Sequence, residues 1–313
     1  MVVDPQVWAF RDRQSGQGFP GYVDAGVPGA RASARAIARW RAGFTDFDPV
    51  AAVEDREISS TRGAIAIRVY RPTTPSTGVV TYFHGGGFVV GDLDTSEWHC
   101  RALCARSGAV VVSVDYALAP EHPFPAAVHQ AYAAVRWVAE NLTDVDGATL
   151  PLAVAGDSAG AGLATTSAIL ARDEGGPDLA AQLLVYPMLD PTMSCPSIVE
   201  NGEGYLLDRA TIEWFWAHYL GSTPPSTSPL AAPLGARLDG LAPAVVVTAG
   251  FDPFRDEGEK YAELLGEAGV PTRLLRYDSL VHGFMSWAPH VDAAQAAVSD
   301  LSAALRDLLL AGR

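Results

Sequence analysis

The chain has 313 residues, 49% of them apolar, enough to bury the core of one large α/β domain. Its 22 Lys+Arg against 36 Asp+Glu give a net charge of −14, which opposes nucleic acid and anionic membrane surfaces and favours a neutral or weakly charged small molecule. No apolar run approaches the roughly 20 residues of a membrane span, and the start, MVVDPQVWAFRDRQ, lacks the basic-then-apolar order of a signal peptide, so a cytoplasmic protein is expected.

Residues 1–50, rich in Ala and Arg around Trp40, read as helices placed before the sheet begins. Within them GQGFPG (16–21) matches a dinucleotide-binding glycine pattern, but no strand precedes it and Pro20 sits where a helix should open, so it reads as a loop. Residues 57–71 predict two strands around the hairpin turn Thr61-Arg62-Gly63. Strands are then expected at 78–83, 109–114, 151–155, 181–186, 244–249 and 272–277, with helices at 125–141, 159–172, 255–268 and 291–310. Val-rich runs alternating with amphipathic helices specify a mostly parallel sheet covered on both faces.

One segment breaks this rhythm. Residues 190–230 carry a helix, DRATIEWFWAHYL, and a Ser/Thr/Pro loop, GSTPPSTSP, and insertions beyond strand ends are where ligands are covered. With the N-terminal helices this segment is expected to form a cap on a catalytic unit spanning 51–313. The bulky groups Trp8, Phe10, Phe44, Trp214, Phe215 and Trp216 suit a closed acyl pocket. Cys100, Cys104 and Cys195 cannot all pair and are expected as thiols. His99 with Cys100 and Cys104 lacks a spaced fourth ligand, so no metal is expected, nor any organic cofactor.

The chemistry concentrates at strand ends. VAGDSAGAG (154–162) runs from a strand into a helix through Gly156-Asp157-Ser158-Ala159-Gly160, a sharp turn that presents the Ser158 hydroxyl at the sheet edge. A serine hydroxyl needs a base, and the base needs an acid to hold its tautomer. Asp252 lies just past strand 244–249 and His282 just past strand 272–277, in the order that serves such a serine. Asp256 and Asp278 are rival acids, the first expected in a helix's first turn and the second in a loop requiring a tight turn. His290 reads as a surface residue. The triple glycine in HGGGF (84–88) follows strand 78–83 and leaves bare backbone whose amides can face a developing oxyanion, with Ala159 supplying another and His84 bracing the loop.

Six motifs, HGGGF at 84–88, DYALAPEHPFPAA at 115–127, GDSAGAG at 156–162, GEGYLL at 202–207, DPFRDEG at 252–258 and HGF at 282–284, occur in one order. In this the chain resembles the hormone-sensitive-lipase-like group of α/β-hydrolase carboxylesterases. The resemblance implies Ser158 as nucleophile, Asp252 as orienting acid, His282 as base, and Gly86, Gly87 and Ala159 as oxyanion donors. It implies hydrolysis of short- to medium-chain acyl esters, with a homodimer formed through an exposed last strand. Phe88, closing the glycine loop, and Trp214, in the insertion, are the candidate substrate-binding residues. The group usually has Gly where this chain has Ala161. An amidase or arylacetamide deacetylase would share the same machinery. A binding-only member would lack the histidine that stands here at 282, and epoxide or haloalkane chemistry would need a carboxylate in place of Ser158.

Overall fold

The computed structural model describes residues 2–60, 63–142, 144–145, 148–224 and 228–312. Two helices come first, α1 (Pro5–Ser15) and α2 (Tyr22–Ala42). Strands β1 (Ala52–Ser60) and β2 (Gly63–Arg71) follow, then β3 (Val79–Phe83), α3 (Glu97–Ser107), β4 (Val110–Asp115) and α4 (Ala126–Asn141). A two-residue ribbon, β5 (Asp144–Val145) and β6 (Ala148–Thr149), precedes β7 (Leu152–Asp157), α5 (Ala159–Glu174) and β8 (Ala181–Val185). The remainder is α6 (Ser197–Glu200), α7 (Arg209–Leu220), β9 (Ala244–Phe251), α8 (Arg255–Glu267), β10 (Thr272–Val281) and α9 (Asp292–Ala311).

Eight strands form one sheet in the order β1-β2-β4-β3-β7-β8-β9-β10. β1 pairs antiparallel with β2, and β2 with β4; every later pair is parallel. Side chains of a strand alternate between faces, and the core divides accordingly. Val79 and Phe83 of β3 join Val128, Val135, Leu163 and Leu265 on one side, whereas Val80 and Tyr82 join Leu103, Val298, Leu301 and Leu305 on the other. Helices α4, α5 and α8 therefore cover one face, and α3 and α9 the other.

The predicted rhythm holds, with differences at its ends. The β1–β2 hairpin pairs through to Ser60 and Gly63, although its turn residues Thr61 and Arg62 lie outside the described residues, as do 225–227 of the Ser/Thr/Pro loop. GQGFPG forms no helix before Gly21. Helix α2 is broken at Gly26 (φ 62°), two residues before Pro28, because proline cannot supply an interior N–H. β10 runs past the expected end to Val281 through a register shift between Tyr277 and Val281. A 3₁₀ segment, Phe284–His290, was not anticipated; it packs Phe284, Met285 and Trp287 into the core.

Candidate active site

Because β3, β7, β8 and β9 run parallel side by side, their carboxyl ends share one edge, and β3 pairs with β7 so that Phe83 faces Gly156. The loops after β3, β7, β9 and β10 thus meet above that edge. Ser158 leaves β7 with φ 56° and ψ −122°, a conformation that non-glycine residues rarely hold. Two close approaches permit the turn. A Cβ at Gly156 would overlap the backbone of Gly160, and one at Gly160 would overlap the Phe83 carbonyl. Both glycines are steric necessities of strand and helix packing this tightly.

The same edge brings the sequence-predicted acid and base to the serine. His282 Nε2 lies 3.0 Å from Ser158 Oγ, and His282 Nδ1 lies 2.8 Å from Asp252 Oδ2. Asp252 is fully buried, and its other oxygen accepts the Phe254 N–H at 2.7 Å. Tyr186 and Phe254 flank the imidazole at centroid distances of 4.7 and 5.3 Å. This leaves the ring little freedom to turn. The rival acids are committed elsewhere: Asp278 accepts from Arg276 Nε at 2.6 Å, and Asp256 accepts from the Ser197 N–H and from Arg255.

The glycine loop adopts left-handed backbone at Gly86 (φ 120°), Gly87 (φ 59°) and Phe88 (φ 64°). A side chain at Gly86 would overlap the Val90 carbonyl oxygen, and one at Gly87 the Phe215 ring. Among the described residues, no hydrogen bond engages the N–H of Gly86, Gly87 or Ala159. Ala159 opens α5, where the N–H groups carry the positive end of the helix dipole. His84 does brace the loop: its ring stacks on Tyr116 at 4.4 Å and its Nδ1 lies 2.8 Å from the Gly85 oxygen, while Tyr116 Oη donates to the His84 carbonyl.

A cavity of about 510 Å³ opens above these groups. Ser158, His282, Gly86 and Gly87 line it together with Phe19 and Tyr22 from the N-terminal segment and Phe215 from α7. Neither candidate substrate-binding residue is among its walls. Phe88 is buried and stacks on Tyr219 at 3.7 Å, facing α7 from below. Trp214 packs on His218 at 4.4 Å, and its neighbour Phe215 takes the cavity position. His290 is half-buried, its ring stacked on Phe10 at 4.3 Å.

Two positioning groups escaped sequence reasoning. Asp157, inside the elbow, accepts from the Gly85 N–H at 2.9 Å and from Tyr82 Oη at 2.6 Å, tying the serine turn to the glycine loop. Its only sequence signal is a charged residue among small ones. Asn201 Nδ2 donates to the Asp252 carbonyl at 3.1 Å. His99 lies 3.3 Å from Tyr82 Oη and 3.1 Å from Ser286 Oγ. Among the described residues no three His, Cys, Asp or Glu side chains are grouped to hold a metal ion.

Residues 80–286 match the model of an α/β hydrolase fold family. Esterase LipI of Mycobacterium tuberculosis is 42% identical over 295 residues, covering 92% of this chain and 90% of its own length. Carboxylesterase NlhH of the same species is 45% identical over 251 residues, covering 78% and 79%. Among solved structures, a hyperthermophilic esterase from the archaeon Pyrobaculum calidifontis superposes with a TM-score of 0.91 at 39% identity, covering 99% of this chain and 100% of that one. Both sequence and structure therefore place the chain in the α/β hydrolase fold family, as a carboxylic ester hydrolase of its hormone-sensitive-lipase-like group.

Proposed function

We propose that Ser158 is the nucleophile of this esterase, His282 its general base and then acid, Asp252 the group that orients His282, and the N–H groups of Gly86, Gly87 and Ala159 the oxyanion donors. The observation that carries the reading is the unbroken chain Asp252–His282–Ser158 at 2.8 and 3.0 Å, beside a glycine loop that lines the same cavity and whose Gly86 and Gly87 amides, like that of Ala159, make no hydrogen bond among the described residues. Asp252 accepts a hydrogen bond from the Nδ1–H and so holds that tautomer, which leaves the Nε2 lone pair free to take the Ser158 proton as Oγ attacks the ester carbonyl. The carbonyl oxygen becomes an anion among amides that need no reorganisation to receive it. His282 returns the proton to the leaving alcohol, and water then repeats the sequence on the acyl-enzyme to release the acid.

Residues 1–50 and the 190–230 segment form the cap of a catalytic unit spanning 51–313. In support, Tyr22 of α2 meets Phe215 of α7 at 6.1 Å over the cavity. A cavity of about 510 Å³ walled by aromatics fits short- to medium-chain acyl groups of about two to eight carbons. Two further features belong to this reading. The edge strand β10 leaves Leu274 exposed and is the surface for a homodimer, and three free cysteines suit a cytoplasmic setting. No helix among the described residues is long and apolar enough to cross a membrane.

Turnover of p-nitrophenyl esters of rising acyl length tests the pocket. Activity should peak within two to eight carbons and depend on Ser158; best activity on long-chain triglyceride emulsions would refute a closed pocket.

A further inference from the structure

The cavity beside Ser158 contains a cation without an acidic partner among the described residues. Arg41, near the end of α2, lines the cavity with Ser158, Tyr22 and Trp287. Its Nε and Nη2 both donate to one oxygen, Gln14 Oε1, at 3.0 and 2.8 Å. Among the described residues its Nη1 has no hydrogen bond, and no carboxylate lies within ion-pair distance of the guanidinium. The group sits over the Trp287 ring at 5.5 Å. Desolvation by burial pulls its pKa down to about 10, which still leaves it charged at neutral pH.

The carboxylates that share the cavity wall are otherwise engaged. Asp157 is taken by Tyr82 and Gly85, Asp94 accepts from Arg68, and Asp208 caps α7 through the Thr211 N–H. Tyr22, whose phenol is held protonated by its own burial, lines the same cavity and makes no hydrogen bond among the described residues. Arg41 is half-buried, and a partly desolvated charge costs free energy unless a counter-charge meets it. Here the described residues supply one neutral amide oxygen for five guanidinium donors.

We propose that Arg41 is a specificity residue that binds a carboxylate carried by the ester substrate, with the Tyr22 hydroxyl as a second donor. The inference rests on the catalytic assignment above and names the substrate class of that same site: esters bearing a free carboxylate several bonds from the scissile carbonyl. The overall charge of −14 does not oppose it at close range. Exterior charges are screened over about 8 Å at physiological salt, whereas a guanidinium in direct contact is not. The carboxylate can sit on the acyl chain or on the alcohol, and the two sources are separable.

The test compares kcat/KM for two matched pairs, monoethyl adipate with ethyl hexanoate, and 4-acetoxybenzoate with 4-acetoxybenzamide, in the parent, Arg41→Gln and Arg41→Lys. In at least one pair, Arg41→Gln should lower the charged-to-neutral ratio by about 10- to 100-fold, and Arg41→Lys should restore part of it. The responding pair identifies the limb that carries the charge. A structural role for Arg41 would lower both members together, and a ratio moved less than twofold in both pairs overturns the proposal. Should Arg41→Gln fail to fold, inhibition of the parent decides: adipate should compete more strongly than adipamide at constant ionic strength, and equal or weaker inhibition overturns it. Ser158→Ala distinguishes the two levels of failure, because neutral-ester turnover that survives it removes the catalytic assignment, whereas an unmoved ratio with Ser158-dependent turnover removes only the role of Arg41.

Discussion

Replacing Asp252 by asparagine should cost this enzyme about 10⁴ in kcat while leaving it folded. The fully buried carboxylate has one oxygen on the Phe254 N–H at 2.7 Å and the other on His282 Nδ1 at 2.8 Å. An amide has a single oxygen. If that oxygen keeps the Phe254 bond, the Nδ2 hydrogens point at His282 Nδ1, which must then accept, and the ring proton moves to Nε2, where it blocks proton transfer from Ser158. The flipped amide would restore the productive tautomer but set Nδ2 against the Phe254 N–H, leaving a buried donor unsatisfied at about 1–3 kcal/mol. The unproductive tautomer therefore prevails, and a loss near 10⁴ corresponds to about 5.5 kcal/mol of transition-state stabilisation. Hydrolysis of p-nitrophenyl butyrate, with circular dichroism as the control for folding, measures it. Asp278→Asn, at an exposed ion pair with Arg276, should cost less than about threefold on the scale of surface pairs. Folded Asp252→Asn within tenfold of the parent, or an equal loss in Asp278→Asn, would remove Asp252 as the group that orients His282.

Gly86→Ala should lower kcat per titrated active site by about 10² or more by misaiming a donor, and lower Tm as well, because its Cβ overlaps the Val90 carbonyl; an unchanged kcat per titrated site removes this amide from the mechanism. Burial raises the pKa of Glu257 well above its ordinary value, so the folded protein retains a proton that the unfolded chain releases above about pH 4.3. Stability then falls as pH rises, by up to ~1.4 kcal/mol per unit until the folded-state pKa is passed. Urea unfolding of Glu257→Gln, whose amide oxygen can still accept from the Leu189 and Asp190 N–H groups, should gain on the parent between pH 4.5 and 7, and a pH-independent difference would contradict this. Burial also raises the thiols, Cys195 to about 11 and Cys104 to about 12; with Cys100 and Cys104 buried, iodoacetamide at pH 8 should modify Cys195 first, and earlier labelling of either buried thiol would count against the packing of α3.

That Ser158, Asp252, His282 and the glycine loop gather at one sheet edge was legible because its signals are local. A strand ending in Gly-x-Ser-x-Gly, an acid and a histidine past later strand ends, and a glycine run after an early strand each follow from what a few adjacent residues can do. The cavity wall was not legible, for reasons that differ from residue to residue. Three successive aromatics, Trp214-Phe215-Trp216, mark no face of α7, and one step along a helix turns a side chain by about 100°; the cavity received Phe215 and not Trp214. Phe88 follows two positive-φ glycines and is itself left-handed, which directs its ring beneath the loop onto Tyr219. Arg41 is one of several arginines in α2, and Arg31 and Arg35 of the same helix pair with Glu121 and Asp92. Only tertiary placement leaves Arg41 lining the cavity without an acidic partner among the described residues.

Ser158 is proposed as the acylated residue. Treating the native protein with a p-nitrophenyl alkylphosphonate and mapping the adduct by peptide mass spectrometry tests it most directly. One phosphonyl group per chain is expected, carried by the peptide containing Gly156-Asp157-Ser158-Ala159-Gly160, with loss of activity in proportion to labelling and no adduct in Ser158→Ala. Stoichiometric, inactivating label on any other residue, or full esterase activity in Ser158→Ala, would contradict it.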